Sequence, residues 1–117
     1  MQIGLECFLD EQLSSMIASE NRHGDCEIQH KVDCIVYDTE KDNYLEEYLE
    51  EIMDAFTVAK HLKVTESDAR ADYLKNFLNR WKVFSVAGDD IQKIITAICH
   101  ERYQDEPELF DEKVTIR

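Results

Sequence analysis

Four residues with metal-ligand side chains fall within one short stretch: His23, Cys26, His30 and Cys34. Zinc takes four such ligands in a tetrahedron, and its structural sites usually draw them from two close pairs. The spacings here are three, four and four residues, which fit no common finger. The segment around Cys34 also reads as a strand, which would carry that thiol away from the rest. The expectation is two surface histidines, two partly buried thiols and no resident metal or other cofactor. Cys99 and His100 are adjacent, and on a helix neighbouring side chains diverge by about 100°, so a nucleophile and its base would point apart. Cys99 reads as a core thiol. Carboxylates are abundant, yet no Gly-rich loop, buried His motif or nucleophile elbow accompanies them. No catalytic residue is assigned, and the chain is not expected to be an enzyme.

What the sequence does hold in excess is negative charge. Twenty-six acids stand against thirteen bases in 117 residues, a formal net charge of −13. Such a surface repels nucleic-acid phosphates and anionic membranes, so neither is expected as a direct partner. It favours solubility and steered encounter with a basic protein. The acids concentrate in two stretches. Glu46, Glu47, Glu50, Glu51 and Asp54 lie within Asn43–His61, and Asp105, Glu106, Glu108, Asp111 and Glu112 surround Leu109 and Phe110. These ten are the candidate partner-binding residues. Each stretch also has a plainer reading: a solvated helix face for the first, and self-docking of Leu109 and Phe110 for the second.

The elements that would position these groups are mostly helical. Leu45, Tyr48, Leu49, Ile52, Phe56 and Ala59 recur at three- and four-residue steps, which predicts a central helix over Asn43–His61. Its like-charge pairs at four-residue spacing (Glu46/Glu50, Glu47/Glu51, Glu50/Asp54) each cost roughly 0.2–0.5 kcal/mol in isolation, so the helix depends on burying its apolar stripe. A first helix is predicted over Leu9–Glu20 from Leu9, Leu13, Met16 and Ile17, with Gly24 as its left-handed stop. Asp33–Asp38 reads as a strand, with Glu27–Gln29 as a short partner. A cap at Thr65 or Ser67, with Glu66 and Asp68 in the first turn, opens a third helix running to Lys82. Ile91, Ile94, Ile95, Ile98 and Cys99 mark a fourth helix ending near Tyr103, after Gly88 as breaker and Asp89 or Asp90 as cap. Lys113–Arg117 reads as an extended tail or terminal strand.

These elements add up to one domain, residues 1–117, mainly α: a four-helix bundle-like fold with a minor two-stranded β element. With three glycines and one proline, long irregular loops are not expected. No apolar run reaches membrane-spanning length, and the N-terminus lacks a basic segment followed by an apolar one. The four cysteines fit no disulfide framework, which points to free thiols in a reducing compartment, the cytoplasm.

Several motifs resemble a known family in chain order. Cys7-Phe8-x-Asp10-x-x-Leu13-x-x-x-Ile17, then Gly24-Asp25-Cys26, the VDCIVYD segment and a Tyr/Leu/Glu-rich helix are similar to the HEPN-type domain found before bacterial RES toxin domains. Glu108-Leu109-Phe110-x-x-Lys113-Val114-x-Ile116 resembles the end of that domain. The resemblance implies a zinc knuckle built from two cysteine pairs, of which Cys7 and Cys26 are present, but Gly4 and Gln29 occupy the other two places, so Cys34 or His30 would be needed to complete it. The Arg…His signature of nuclease-active HEPN domains is also missing, so nuclease activity is not implied. A free-standing, acidic, catalytically empty version of this domain is similar to the immunity proteins of bacterial toxin systems, such as contact-dependent growth inhibition. The sequence thus points to an immunity or antitoxin-like protein that neutralises a cognate, basic toxin, often a nuclease. The alternatives are a non-catalytic N-terminal domain of a RES-type toxin and a degenerate HEPN ribonuclease or zinc module.

Overall fold

The computed structural model describes residues 1–62 and 70–117. Strand β1 (Gln2–Gly4) runs through a 3-10 turn, Leu5–Cys7, to helix α1 (Glu11–Glu20). Strands β2 (His23–Gly24) and β3 (Cys34–Asp38) follow, then helix α2 (Glu46–Met53), strand β4 (Phe56–Val58) and a second 3-10 turn, Ala59–Leu62. Helices α3 (Leu74–Arg80), α4 (Gly88–Ile98), α5 (His100–Asp105) and α6 (Glu108–Asp111) lead into strand β5 (Val114–Ile116). The architecture is α+β, with one sheet ordered β1-β3-β2 and a separate β4-β5 pair, both antiparallel. This corrects the expected mainly α, four-helix bundle-like domain with one two-stranded element.

The largest correction falls on Asn43–His61. Only Glu46–Met53 is α-helical; Phe56–Val58 is a strand, and the 3-10 turn begins at Ala59. Phe56 fits a helical stripe with Leu45, Leu49 and Ile52, but Phe56 and Val58 also share one face at the two-residue period of a strand. Both are buried, and they pair with Ile116 and Val114 of β5. The β-branched Thr57 and Val58 favour that choice, and long-range pairing overrides the local period.

The β3 strand was expected with Glu27–Gln29 beside it. Its partners are instead β1, in the register Ile3↔Tyr37, and β2, in the register His23↔Ile35. Residues 27–29 form a turn closed by Cys26 N–H donating to Lys31 O at 2.7 Å.

Helix α1 forms as the sequence predicts in outline. Asp10 caps it, its Oδ1 accepting from Leu13 N at 3.0 Å, and Leu13 and Ile17 are buried. Leu9 lies before the helix and is half exposed. The left-handed stop is Asn21 (φ 51°), not Gly24, which lies in β2. Asn tolerates this conformation better than most residues with a Cβ.

The predicted cap at Thr65 or Ser67 and the start of the third helix at Glu66 lie outside the described residues. The described helix begins at Leu74. Before it, Asp72 is extended, exchanging backbone hydrogen bonds with Val114 at 3.0 and 2.7 Å. Its carboxylate accepts from Tyr73 N and Asn76 Nδ2 at 2.7 and 2.8 Å. The fourth helix breaks at Cys99, where φ is −101° and ψ 47°, so α5 is a separate element. Gly88 opens α4 rather than preceding it, and Asp89 and Asp90 lie in its first turn.

One hydrophobic cluster joins both sheets to the helices, from Ile3 and Leu13 through Leu49, Phe56 and Leu78 to Ile94 and Phe110. Leu109 and Phe110 dock on the body, as one reading of the C-terminal segment predicted. Among the described residues, no helix is long and apolar enough to cross a membrane.

Candidate functional site

Helix α2 turns Leu49 and Met53 into the core, with Leu45 just ahead of it. That orientation leaves Glu47, Glu51 and Asp54 exposed and Glu46 and Glu50 half-buried. Two hollows flank the acidic face. One, of about 200 Å³, is lined by Met16, Tyr44, Glu47, Tyr48 and Glu51. The other, of about 340 Å³, is lined by Asn43, Tyr44, Glu46, Glu47 and Glu50.

Tyr44 borders both hollows, its ring packed edge-on to Tyr37 at 4.9 Å between centroids. Its hydroxyl is buried without a hydrogen-bond partner among the described residues. Burial, reinforced by Asp42 and Glu20, pushes its phenol up to about 12. Burial also raises the Glu46 carboxyl, with Glu50 and Glu101 adding repulsion. Among the described residues, no lysine or arginine forms an ion pair with Glu46, Glu47, Glu50 or Glu51.

Arg102 on α5 joins this face to the second acidic stretch. Its Nη1 donates to Asp54 Oδ1 at 2.9 Å. Its Nε stands 3.1 Å from Glu106 Oε1, an ion pair by distance that lacks hydrogen-bond alignment. Glu46, Glu47, Glu50, Glu51, Asp54 and Glu106 therefore share one region, with Asp105 the exposed neighbour of Glu106.

The remaining tail acids are used within the fold. Asp111 accepts from Tyr103 Oη and Gln92 Nε2, each at 3.2 Å. Glu112 pairs with Lys60 at 2.9 Å, and Glu108 is half-buried on α6. Sequence reasoning missed Tyr44, Met16, Glu101 and Arg102. Tyr44 and Tyr48, four residues apart around Glu46 and Glu47, carry a local signal; Met16 and Arg102 reach the site only through the fold.

The thiols form a second cluster. Cys7 Sγ and Cys26 Sγ are 3.7 Å apart and buried. Gly4 packs so close that a Cβ there would stand 2.9 Å from Cys26 Cβ, 3.0 Å from Cys26 Sγ and 3.7 Å from Cys34 Sγ. Gln29 N–H donates to Cys26 Sγ at 3.3 Å, and Gln29 Oε1 is buried without a partner among the described residues. The expectation that Cys34 lies apart is thus corrected: it lines one cavity of about 210 Å³ with Gly4, Cys26 and Gln29. The bend at Asp33 (φ 52°) brings the start of β3 back toward Cys26. His23 and His30 are exposed, as is His100 beside the buried Cys99.

Two thiolates on one zinc, at about 2.3 Å each, stand about 3.8 Å apart, and the Cys7–Cys26 separation matches that. The remaining ligands do not follow. Gly4 offers no side chain and Gln29 an amide. Among the described residues, no group of three or more His, Cys, Asp or Glu is placed to hold a metal ion. The residues present do not fit a zinc knuckle.

Burial pushes the Cys7 thiol up to about 12, with Cys26 adding to the effect. Burial alone would raise Cys26 too, yet its thiol is lowered from its ordinary value by the Gln29 N–H bond, with the backbone at Gly4 and Ile28 adding to the effect. Cys99 is pushed up to about 12 by burial, then by Glu50 and Glu46.

No family model, curated protein or solved structure matches the chain.

Proposed function

We propose that the protein is an immunity or antitoxin-like binding protein that neutralises a cognate basic toxin, of the contact-dependent growth inhibition kind, in the cytoplasm. The observation that carries this reading is the run of α2 acids without ion-pair partners among the described residues, set beside the Tyr44–Tyr48 hollow. A lysine or arginine of the toxin entering that hollow meets carboxylates and tyrosine side chains together, a combination that attracts cations. A basic nuclease fits this surface, because its substrate-binding face is itself built to hold polyanions.

The test begins with affinity capture of the intact chain from its native cell and co-expression with the captured protein. The expected result is a stoichiometric basic partner whose toxicity is relieved. The double variant Glu47→Lys/Glu51→Lys changes two exposed positions and is expected to weaken that complex by about 100-fold, since like charges facing one another cost several kcal/mol. Unchanged affinity would exclude the α2 face as the interface.

A second reading is the non-catalytic N-terminal HEPN-like domain of a RES-type toxin. Its support is the convergence of residues 4, 7, 26 and 29, the positions at which the resemblance places two cysteine pairs. A native reading frame continuing beyond Arg117 into a toxin domain would favour this second reading over the first.

A further inference from the structure

We propose that Cys26 and Cys7 form an oxidation site: hydrogen peroxide entering the adjoining cavity oxidises Cys26, and Cys7 then closes on it as a disulfide. Three observations converge. The two sulfurs are 3.7 Å apart, so rotation of the side chains by under about 2 Å brings them to bonding distance. Cys26 lines the cavity of about 210 Å³ and Cys7 does not, which assigns the first attack to Cys26. The absent side chain at Gly4 leaves the space beside Cys26 Sγ open, since a Cβ there would stand only 3.0 Å away.

The backbone turn 26–29 aids the same sulfur. Gln29 N–H donates to Cys26 Sγ at 3.3 Å, which favours thiolate character. Small oxidants fit this buried sulfur better than bulky disulfides. In the first step the Cys26 thiolate attacks one peroxide oxygen; the O–O bond breaks and hydroxide leaves, giving a sulfenic acid on Cys26. In the second, the Cys7 sulfur attacks the Cys26 sulfur, the S–O bond breaks, and the hydroxyl departs as water with the Cys7 proton. Two protein thiols are oxidised and one peroxide is reduced to two waters.

Cys34 is the competing thiol, half-buried at the rim of the same cavity. The intact folded protein, reduced and then treated with hydrogen peroxide, decides between them by non-reducing peptide mapping. The expected product is a Cys7–Cys26 linkage, two hydrogens lighter than the thiol form and reversed by dithiothreitol. Cys7→Ser is expected to leave a sulfenic acid on Cys26 that dimedone traps, and Cys34→Ser to form the Cys7–Cys26 linkage at an unchanged rate. Four intact thiols in the treated wild type, a Cys26–Cys34 linkage, or oxidation confined to Cys34 would each overturn the proposal. Mapping of the wild type decides even where a variant misfolds.

Discussion

Truncation of Phe110 to Ala tests whether the C-terminal acidic segment is part of the body or an arm free to reach a partner. Phe110 is 1% exposed, lies edge-on to Tyr103 at 5.2 Å, and its carbonyl accepts from Gln92 Nε2 at 3.2 Å. Removing a buried phenylalanine costs about 3–5 kcal/mol through lost transfer energy and the cavity left behind, and the aromatic pair with Tyr103 keeps this site inside that range. A loss of about 3.5 kcal/mol is a large share of the roughly 5–15 kcal/mol that holds a domain together. With about 2.1 cal/mol/K of unfolding entropy per residue over 117 residues, the melting temperature falls by about 14 °C. In urea, with a slope of about 1.5 kcal/mol/M, the midpoint falls by about 2 M. Equilibrium urea unfolding followed by circular dichroism reads this directly. A midpoint shift below about 0.5 M at unchanged slope would refute the docking of this side chain and return Leu109 and Phe110 to the role of partner anchors.

Two further predictions concern carboxylates. Asp42 accepts from Arg22 Nε and Nη2 at 2.9 and 2.7 Å and from Asp38 N–H at 3.0 Å, and the Arg22 hydrogen bonds hold its carboxyl below the ordinary range. Its contribution is therefore fully present above its unfolded value of about 3.9 and is lost as pH falls through the lower folded value. The stability gap between wild type and Asp42→Asn is expected to narrow in that acid window, and a gap that does not change from neutral pH into strong acid would contradict the pairing. Glu46 behaves oppositely: its carboxyl is raised by burial, then by Glu50 and Glu101, so its ionised form destabilises the fold. Glu46→Gln is expected to gain roughly a few tenths of a kcal/mol at neutral pH, an advantage that disappears once both states protonate; thermal melts of the two proteins across pH check it.

Much of the packing was legible from periodicity. The burial of Leu13 and Ile17 on α1, of Leu45 and Leu49, and of the α4 stripe follows from apolar spacing, whereas spacing left the docking of Leu109 and Phe110 open against a role as partner anchors. Strand pairing was not. Phe56–Val58 is too short to display a two-residue period against a longer helical one, and its partner lies at the other end of the chain. Gln2–Gly4 carries no alternation long enough to mark a strand, yet β3 makes it an edge partner. The acids of α2 could be singled out because they are dense and local. The Arg102 link to Asp54 and Glu106 could not, because it depends on α5 turning away from α4 at Cys99.

The pairing of β4 with β5 sets where the two acidic stretches end. Asp54 leaves α2 two residues before β4, and Glu112 leaves α6 two residues before β5. The antiparallel β4–β5 register therefore places the two flanks at opposite ends of one small sheet, Asp54 near the end of β5 and Glu112 near the end of β4. Each flank meets its own cation: Arg102 stands between Asp54 and Glu106, and Lys60 pairs with Glu112. No such cation is paired with Glu46 or Glu50 among the described residues, although both are half-buried and Glu46 feels Glu50 and Glu101. On the proposed reading, a toxin's basic side chain gains most at these two carboxylates, because charges partly removed from water interact more strongly and are screened less by salt. On that reading the exposed Glu47 and Glu51 act earlier, steering encounter. On the same reading the helix divides the work by burial, its outer acids acting mainly on the rate of association and its inner acids mainly on how long the complex lasts.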